Sequence, residues 1–365
     1  MSGLNQWRNF LHFDWINFII IQLLSMIGLL FIFSATYSSE IPFSIFFKKQ
    51  FFGIITGTIL YLVILRMEPI NLKRWGYYTF FGIIALLIFT LLKGSIGLGA
   101  KRWINLGIIK FQPSELAKLF FPSFAVYYLQ HHWRSPSFKL EDFLPLIGIL
   151  LFSSLLILKQ PDLGTAIIVF LSGITLLWLS GIEKKFFTYS LIALLIASPL
   201  ALKSLKPYQR KRIEVFLGQG SKTRERYQIE QSKIAIGSGG ISGKGICQGT
   251  QNRLNFLPES RTDFIFSVIC EEWGIFGALL ILLLYIALFS NITLTTFYIT
   301  HFFEKLLAIG IFLHILFAAI INIFMVTGMM PTVGIPLPFL SYGITNLWIC
   351  YASVAWISNI SARWS

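Results

Sequence analysis

The group best placed for proton chemistry is Asp263, within the stretch Leu254 to Gly277. It stands where the longest polar stretch of the chain runs into an apolar, helix-forming run, with Arg261 two residues before it. A carboxylate at such a boundary has water on one side and hydrocarbon on the other. A helix N-terminus and a neighbouring guanidinium would keep it ionised, as a general base requires. A plainer reading also fits, because Ser260-Arg-Thr-Asp263 matches the capping-box pattern, in which the carboxylate only satisfies free N–H groups.

Two more polar clusters precede it. In Phe111-Gln-Pro-Ser-Glu115-Leu-Ala-Lys118, Pro113 suits the first helical position, and Glu115 and Lys118 are spaced to pair on one helix face. Lys118 then lies about 8 Å along the helix, a depth at which ionisable groups usually face a cavity. Lys101-Arg102-Trp103 comes shortly before. Lys159-Gln-Pro-Asp162-Leu-Gly-Thr165 reads as a tight connection between two apolar runs, functional or merely a Pro-Asp turn. Glu271 and Glu272 fall about 12 to 14 Å into the run after Asp263, where they need a partner, a proton or a wet pocket. The five histidines map to the other face or to span interiors, so no histidine metal site or Ser-His-Asp triad assembles beside these groups. The three cysteines give no disulfide or metal spacing. Ser238 and Gly245 break the phosphate-loop pattern around Gly243-Lys244.

The elements that must hold these residues are membrane helices. The chain is 55% hydrophobic and 13% charged, well outside globular usage. Ten stretches are long and apolar enough, or nearly so, to cross a bilayer: 15–35, 47–66, 75–92, 114–130, 143–158, 163–181, 186–203, 264–289, 305–326 and 343–359. The expectation is an all-α polytopic protein in one domain over 1–365, with about ten spans, both termini on one side and one large loop at 204–262. That loop has apolar residues scattered among basic ones, as in short helices lying on a membrane surface. The segment 328–343, apolar but rich in Pro and Gly, reads as a partly buried loop on the same face as Asp263. The net charge of +14 sits between apolar runs, so the partner it implies is anionic lipid or a phosphorylated lipid headgroup and not nucleic acid.

Taken together the motifs resemble the shape, elongation, division and sporulation (SEDS) family of bacterial membrane proteins. The resemblance is carried by Lys101-Arg-Trp-Ile-Asn-Leu-Gly107, Phe111-Gln-Pro-Ser-Glu-Leu-Ala-Lys118, Lys159-Gln-Pro-Asp-Leu-Gly-Thr165, Gln231-Ser-Lys-Ile-Ala-Ile-Gly237, Phe256-Leu-Pro-Glu-Ser-Arg-Thr-Asp-Phe264 and Val333-Gly-Ile-Pro-Leu-Pro-Phe-Leu-Ser-Tyr-Gly343. The last segment is closer to the rod-shape branch than to the division branch. Arg261 stands where relatives often have His, and Tyr342-Gly-Ile-Thr345 replaces a more usual Tyr-Gly-Gly-Ser.

The resemblance implies a peptidoglycan glycosyltransferase that polymerises lipid II, a disaccharide-peptide on undecaprenyl pyrophosphate, outside the bacterial cytoplasmic membrane. Both termini would be cytoplasmic. The family's essential aspartate corresponds to Asp263, and other important positions fall on Arg102, Trp103, Glu115, Lys118, Asp162 and Gln228. Lys233 and Arg261 join them as substrate-binding candidates, with Lys244 and Arg210 as further cations for the pyrophosphate. A divalent cation, magnesium or manganese, held by Asp162 or Glu115, would share that role, although no Asp-x-Asp signature is present. Implied partners are a class B penicillin-binding protein and other cell-shape membrane proteins. The alternatives are a lipid II flippase, which would gather its polar groups near the midplane, and a non-catalytic scaffold of the cell-wall machinery.

Overall fold

The computed structural model describes residues 13–38, 42–97, 100–105, 110–132, 140–182, 185–186, 188, 214–215, 224–254 and 256–364. The helices are α1 (Trp15–Thr36), α2 (Ile45–Arg66), α3 (Pro69–Lys93), α4 (Pro113–His131), α5 (Leu140–Lys159), α6 (Leu163–Leu179), α7 (Arg224–Ser238), α8 (Thr250–Arg253), α9 (Ile265–Phe297), α10 (Phe302–Val326) and α11 (Ile344–Trp364). Nine of the ten expected spans coincide with helices among the described residues. Six of these helices are long and apolar enough to cross a bilayer, and the chain is a membrane protein. The expected span at 186–203, the cation Arg210 and much of the 204–262 loop lie outside the described residues.

Apolar side chains face outward from the bundle throughout. Trp75, Leu92, Phe276 and Phe297 are all more than half exposed, as hydrocarbon contact requires and water would penalise. Inside, α2 packs on α11, α3 on α4, α1 on α9, and α10 on α4, α6 and α11.

One departure from an all-helical chain is a small antiparallel sheet between α3 and α4: β1 (Ser95–Gly97), β2 (Ala100–Asn105) and β3 (Lys110–Phe111) in the order β1-β2-β3. Strands this short carry too little alternation to be seen by pattern. Their effect is to fold the loop back over α4, bringing Arg102 to the bundle rim.

The second departure is inside α9. Gly274 has φ +63° and ψ −152°, which breaks the helix, and this region of backbone space is open to glycine alone. The loop at 239–245 fills the break: Lys244 N donates to Glu271 O at 3.0 Å, Gly245 N to Glu272 O at 2.9 Å, and Ile275 N to Gly240 O at 2.9 Å. The freed ends of both halves are thereby satisfied.

Contacts with α1 fix the level of the break. Asp14 at the start of α1 accepts from Asn291 at 3.2 Å, and Ser34 near its end donates to Glu272 at 2.5 Å. Each helix covers about 30 Å between these contacts, one bilayer thickness. The membrane-crossing part of α9 is therefore its second half, and Glu271 and Glu272 lie at the rim. This corrects the depth expected from an unbroken helix.

Segment 331–343 crosses the same end of the bundle without helix or strand. Its polar backbone is met by side chains instead. Tyr285 donates to Pro338 O at 2.5 Å, Asn322 to Ile335 O at 2.6 Å, and Gln50 both donates to Ser341 O and accepts from Gly343 N. Leu340 packs against Gly28, below the level of Ser34, and irregular backbone at such a depth is stable only when buried in protein and paired in this way.

Candidate functional site

The site is built at one end of the bundle from the sheet, the starts of α4 and α6, the turn before α9 and the 331–343 segment. Asp162 is the N-cap of α6, and its Oδ1 accepts from Thr165 N at 3.3 Å. Its Oδ2 accepts from Gln112 at 2.6 Å and Ser114 at 3.1 Å. Arg102, half-buried on β2, places its guanidinium 3.6 Å from Oδ1 and 5.8 Å from the Trp103 ring. One turn into α4, buried Glu115 and Lys118 pair at 2.7 Å. Lys118 also donates to Asn346 at the start of α11, at 3.4 Å, and Thr165 donates to Glu115 at 3.5 Å. The network thus joins α4, α6, α11 and the sheet.

Asp263 reaches this network through Gly334. A Cβ at Gly334 would lie 3.4 Å from Asp263 Oδ2, and the residue's φ of +71° demands glycine. On its other side the same strand of backbone packs on α6. A Cβ at Gly164 would meet Val333 O at 2.9 Å and Gly334 O at 3.1 Å. One peptide segment therefore separates the Asp263 carboxylate from the N-terminal turn of α6 that holds Asp162. Asn322 fixes that spacing, since its amide donates to Asp263 O at 2.9 Å and to Ile335 O at 2.6 Å. Ser341 adds a bond to Thr262 O at 2.5 Å, and Tyr342 N one to Arg261 O at 2.9 Å.

The capping-box register does not form. The box would make Ser260 the N-cap, whereas α9 begins at Ile265, after a turn at 258–264. Arg261, two residues before Asp263, places its guanidinium 4.0 Å from the Phe46 ring centre. It there opposes the burial that raises the Tyr342 phenol above its usual value. On α7, Gln228 is half-buried and Lys233 exposed. The Lys233 ammonium passes 2.6 Å from where a Gly328 Cβ would be. α7 itself is held by Ser232, which bonds Ser267 at 2.8 Å and Val326 O at 2.7 Å.

Lys244 is committed elsewhere. It donates to Glu271, Ser238 and Thr250 at 2.7 to 2.8 Å, and Glu272 is held by Ser34 and Cys247 N. Partnered in this way, the two glutamates lock the 239–251 loop onto the broken helix.

For a divalent metal the fit is poor. Both Asp162 and Glu115 already take protein donors, each including a cation. Among the described residues no group of three or more His, Cys, Asp or Glu could hold an ion.

Several contributors were missed as functional by sequence reasoning. Gln112, Ser114 and Thr165 lay inside the quoted motifs, and their buried hydrogen-bonding capacity was the signal. Asn322 and Asn346 sit in apolar runs, where a lone amide is costly unless partnered.

The chain belongs to the FtsW/RodA/SpoVE family, described as cell cycle protein, whose model matches residues 14–365. It is 36% identical over 315 residues to the peptidoglycan glycosyltransferase MrdB of Escherichia coli, covering 86% of this chain and 85% of that one. Its structure aligns at a TM-score of 0.80 and 25% identity with a chain from work on the structural coordination of polymerization and crosslinking by a peptidoglycan synthase complex, covering 95% of this chain and 97% of that one. The rod shape determining protein RodA of Thermus thermophilus shares the fold, with a TM-score of 0.72 at 22% identity over 96% of this chain and 97% of that one.

Proposed function

We propose that the chain is a peptidoglycan glycosyltransferase of the rod-shape type, which polymerises lipid II at the outer leaflet of the bacterial cytoplasmic membrane with both termini in the cytoplasm. The observation that carries the reading is the short bridge through Gly334. In support, that bridge is one peptide segment between the Asp263 carboxylate and the α6 turn whose Asp162 pairs with half-buried Arg102.

The reaction needs a base for a sugar 4-hydroxyl and positive charge for a departing pyrophosphate. Asp263 takes the hydroxyl proton as oxygen attacks the anomeric carbon. The C–O bond to pyrophosphate breaks, and the anion leaves as undecaprenyl pyrophosphate. Because the leaving group departs as an anion, no second carboxylic acid is required, unlike in a glycosidase. Arg102 and Lys118 stabilise its charge. Asp162 and Glu115 hold those two cations in place, and Gln112 and Ser114 orient Asp162. Trp103, Gln228, Lys233 and Arg261 are assigned to substrate contacts around this centre. A single displacement inverts an α-linked donor to a β-1,4 bond. The proposed partner is a class B penicillin-binding protein that cross-links the strands, alongside other cell-shape membrane proteins.

The test is the purified chain with fluorescent lipid II in detergent, where no second compartment exists and a flippase has nothing to do. Asp263→Asn should lower polymer formation about 100-fold or more, the usual worth of a general base, while helical content and thermal unfolding stay unchanged. Glycan synthesis at the unsubstituted rate would refute the assignment.

A further inference from the structure

One face of α2 runs along the last residues of the 331–343 segment and the start of α11. Phe46, Gln50, Gly53 and Gly57 recur on it at helical spacing. A Cβ at Gly53 would lie 3.3 Å from the Leu347 side chain, and one at Gly57 2.9 Å from the Tyr351 ring, so the two helices approach closely here. The other face of α2, with Phe52, Ile55 and Ile59, is exposed.

Gln50 stands at the rim end of the packed face and is fully buried. A primary amide carries both donors and an acceptor, and Gln50 uses both kinds on one stretch of backbone. Its Nε2 donates to Ser341 O at 3.3 Å, and its Oε1 accepts from Gly343 N at 3.2 Å. Holding two peptide groups at once fixes the orientation of that stretch as well as its position.

The same three residues also hold the turn that leads into Asp263. Ser341 Oγ donates to Thr262 O at 2.5 Å, and Tyr342 N donates to Arg261 O at 2.9 Å. Phe46, one turn before Gln50, touches both partners: its ring centre is 5.2 Å from that of Tyr342 and 4.0 Å from the Arg261 guanidinium. An amide that served only to satisfy loop backbone would have no such neighbour beyond the loop. From α10, Asn322 already holds Asp263 O at 2.9 Å. Gln50 supplies a second hold, from α2, on the two residues before it.

We propose that Gln50 is a positioning residue for the reaction. By fixing 341–343 against Arg261 and Thr262, it sets where the Asp263 carboxylate stands. The proposal rests on Asp263 being the base.

The test uses the purified full chain with fluorescent lipid II, with the rate taken per folded molecule. Gln50→Met keeps the length of the side chain and removes both hydrogen bonds. It should lower kcat about tenfold, since about 1 Å of misplacement can cost about a hundredfold, and leave KM for lipid II within about twofold of the parent. Gln50→Glu keeps the acceptor for Gly343 N and loses the donor to Ser341 O. It serves if Gln50→Met does not fold, and should lower kcat about threefold. Ser341→Ala cuts the same route at Thr262, so its effect and that of Gln50→Met should be less than additive in the double variant. A purely structural amide would lower the yield of folded protein and leave kcat per folded molecule unchanged. That result would overturn the proposal, as would a raised KM with parental kcat, or full additivity with Ser341→Ala. Asp263→Asn in the same assay separates the two readings. If it polymerises at the parent rate, the base assignment fails and the proposal with it. An inactive Asp263→Asn beside Gln50 variants of parental kcat overturns the positioning role alone.

Discussion

Two buried ion pairs, one at each rim of the bundle, have the same exposure and different surroundings. Lys118 and Glu115 are 3% and 6% exposed in their side chains, as are Lys73 and Glu304. Lys118–Glu115 lies within one helix and is tied by Thr165 and Asn346 to two others, with Asp162 and Arg102 close by. Lys73–Glu304 instead bridges α3 and α10. Around it Ser123 donates to Lys73 O, and among the described residues the second oxygen of Glu304 has no hydrogen-bond partner. Equal burial therefore does not mean equal purpose. A pair within a single turn adds little to holding helices together, and a polar surround keeps its charge available to a ligand. A pair across two helices acts as a clamp.

Apolar replacement distinguishes the two. The largest effect is expected from Lys118→Met combined with Glu115→Leu, which removes the pair without leaving a lone charge. Polymerisation of lipid II should fall about 100-fold or more, the scale on which a stabilising group for developing charge acts, with helical content retained. Next comes Lys73→Met alone, which leaves Glu304 buried and unpaired and should cost about 3 to 5 kcal/mol in thermal or chemical unfolding. Adding Glu304→Leu should return stability to within about 1 kcal/mol of the parent, because a buried pair exchanged for apolar groups is close to neutral. If the first double variant polymerised normally, the contrast between the rims would collapse. A smaller effect is expected from Gly334→Ala, which puts a methyl 3.4 Å from the Asp263 carboxylate on backbone that disfavours a side chain. That strain is worth about 1 to 2 kcal/mol, and turnover should drop about tenfold with no loss of membrane helices. The smallest is Arg102→Lys, which keeps the charge but not the planar fork. It should weaken lipid II binding about fivefold, measured as a rise in KM.

The same contrast shows what the sequence makes legible. Membrane spans, the Glu115–Lys118 pair and the turn at Asp162 are local features, set by runs and spacings within a few residues of one another. Lys73–Glu304 joins residues 231 positions apart, and no local pattern signals it. The break at Gly274 was hidden for a similar reason. Glycines in an apolar run read as packing contacts, and only the distant 239–245 loop, threading between the halves, shows that one is a break. Arg261 covers the Phe46 ring of α2, a contact that nothing near it in the sequence signals. The separation of Asp263 from Asp162 is set by Asn322, which reads locally as a single amide in an apolar helix.

The break in α9 separates anchorage from alignment. The half beyond Gly274 carries the burden of crossing the bilayer, while the half that follows Asp263 is gripped by loops at both ends. On the proposed assignment, changes in the 239–251 loop are expected to shift the Asp263 carboxylate, the proposed base, while the transmembrane segment stays still. The loop is thus tied to the half-helix that carries the proposed base and not to the half that anchors the chain.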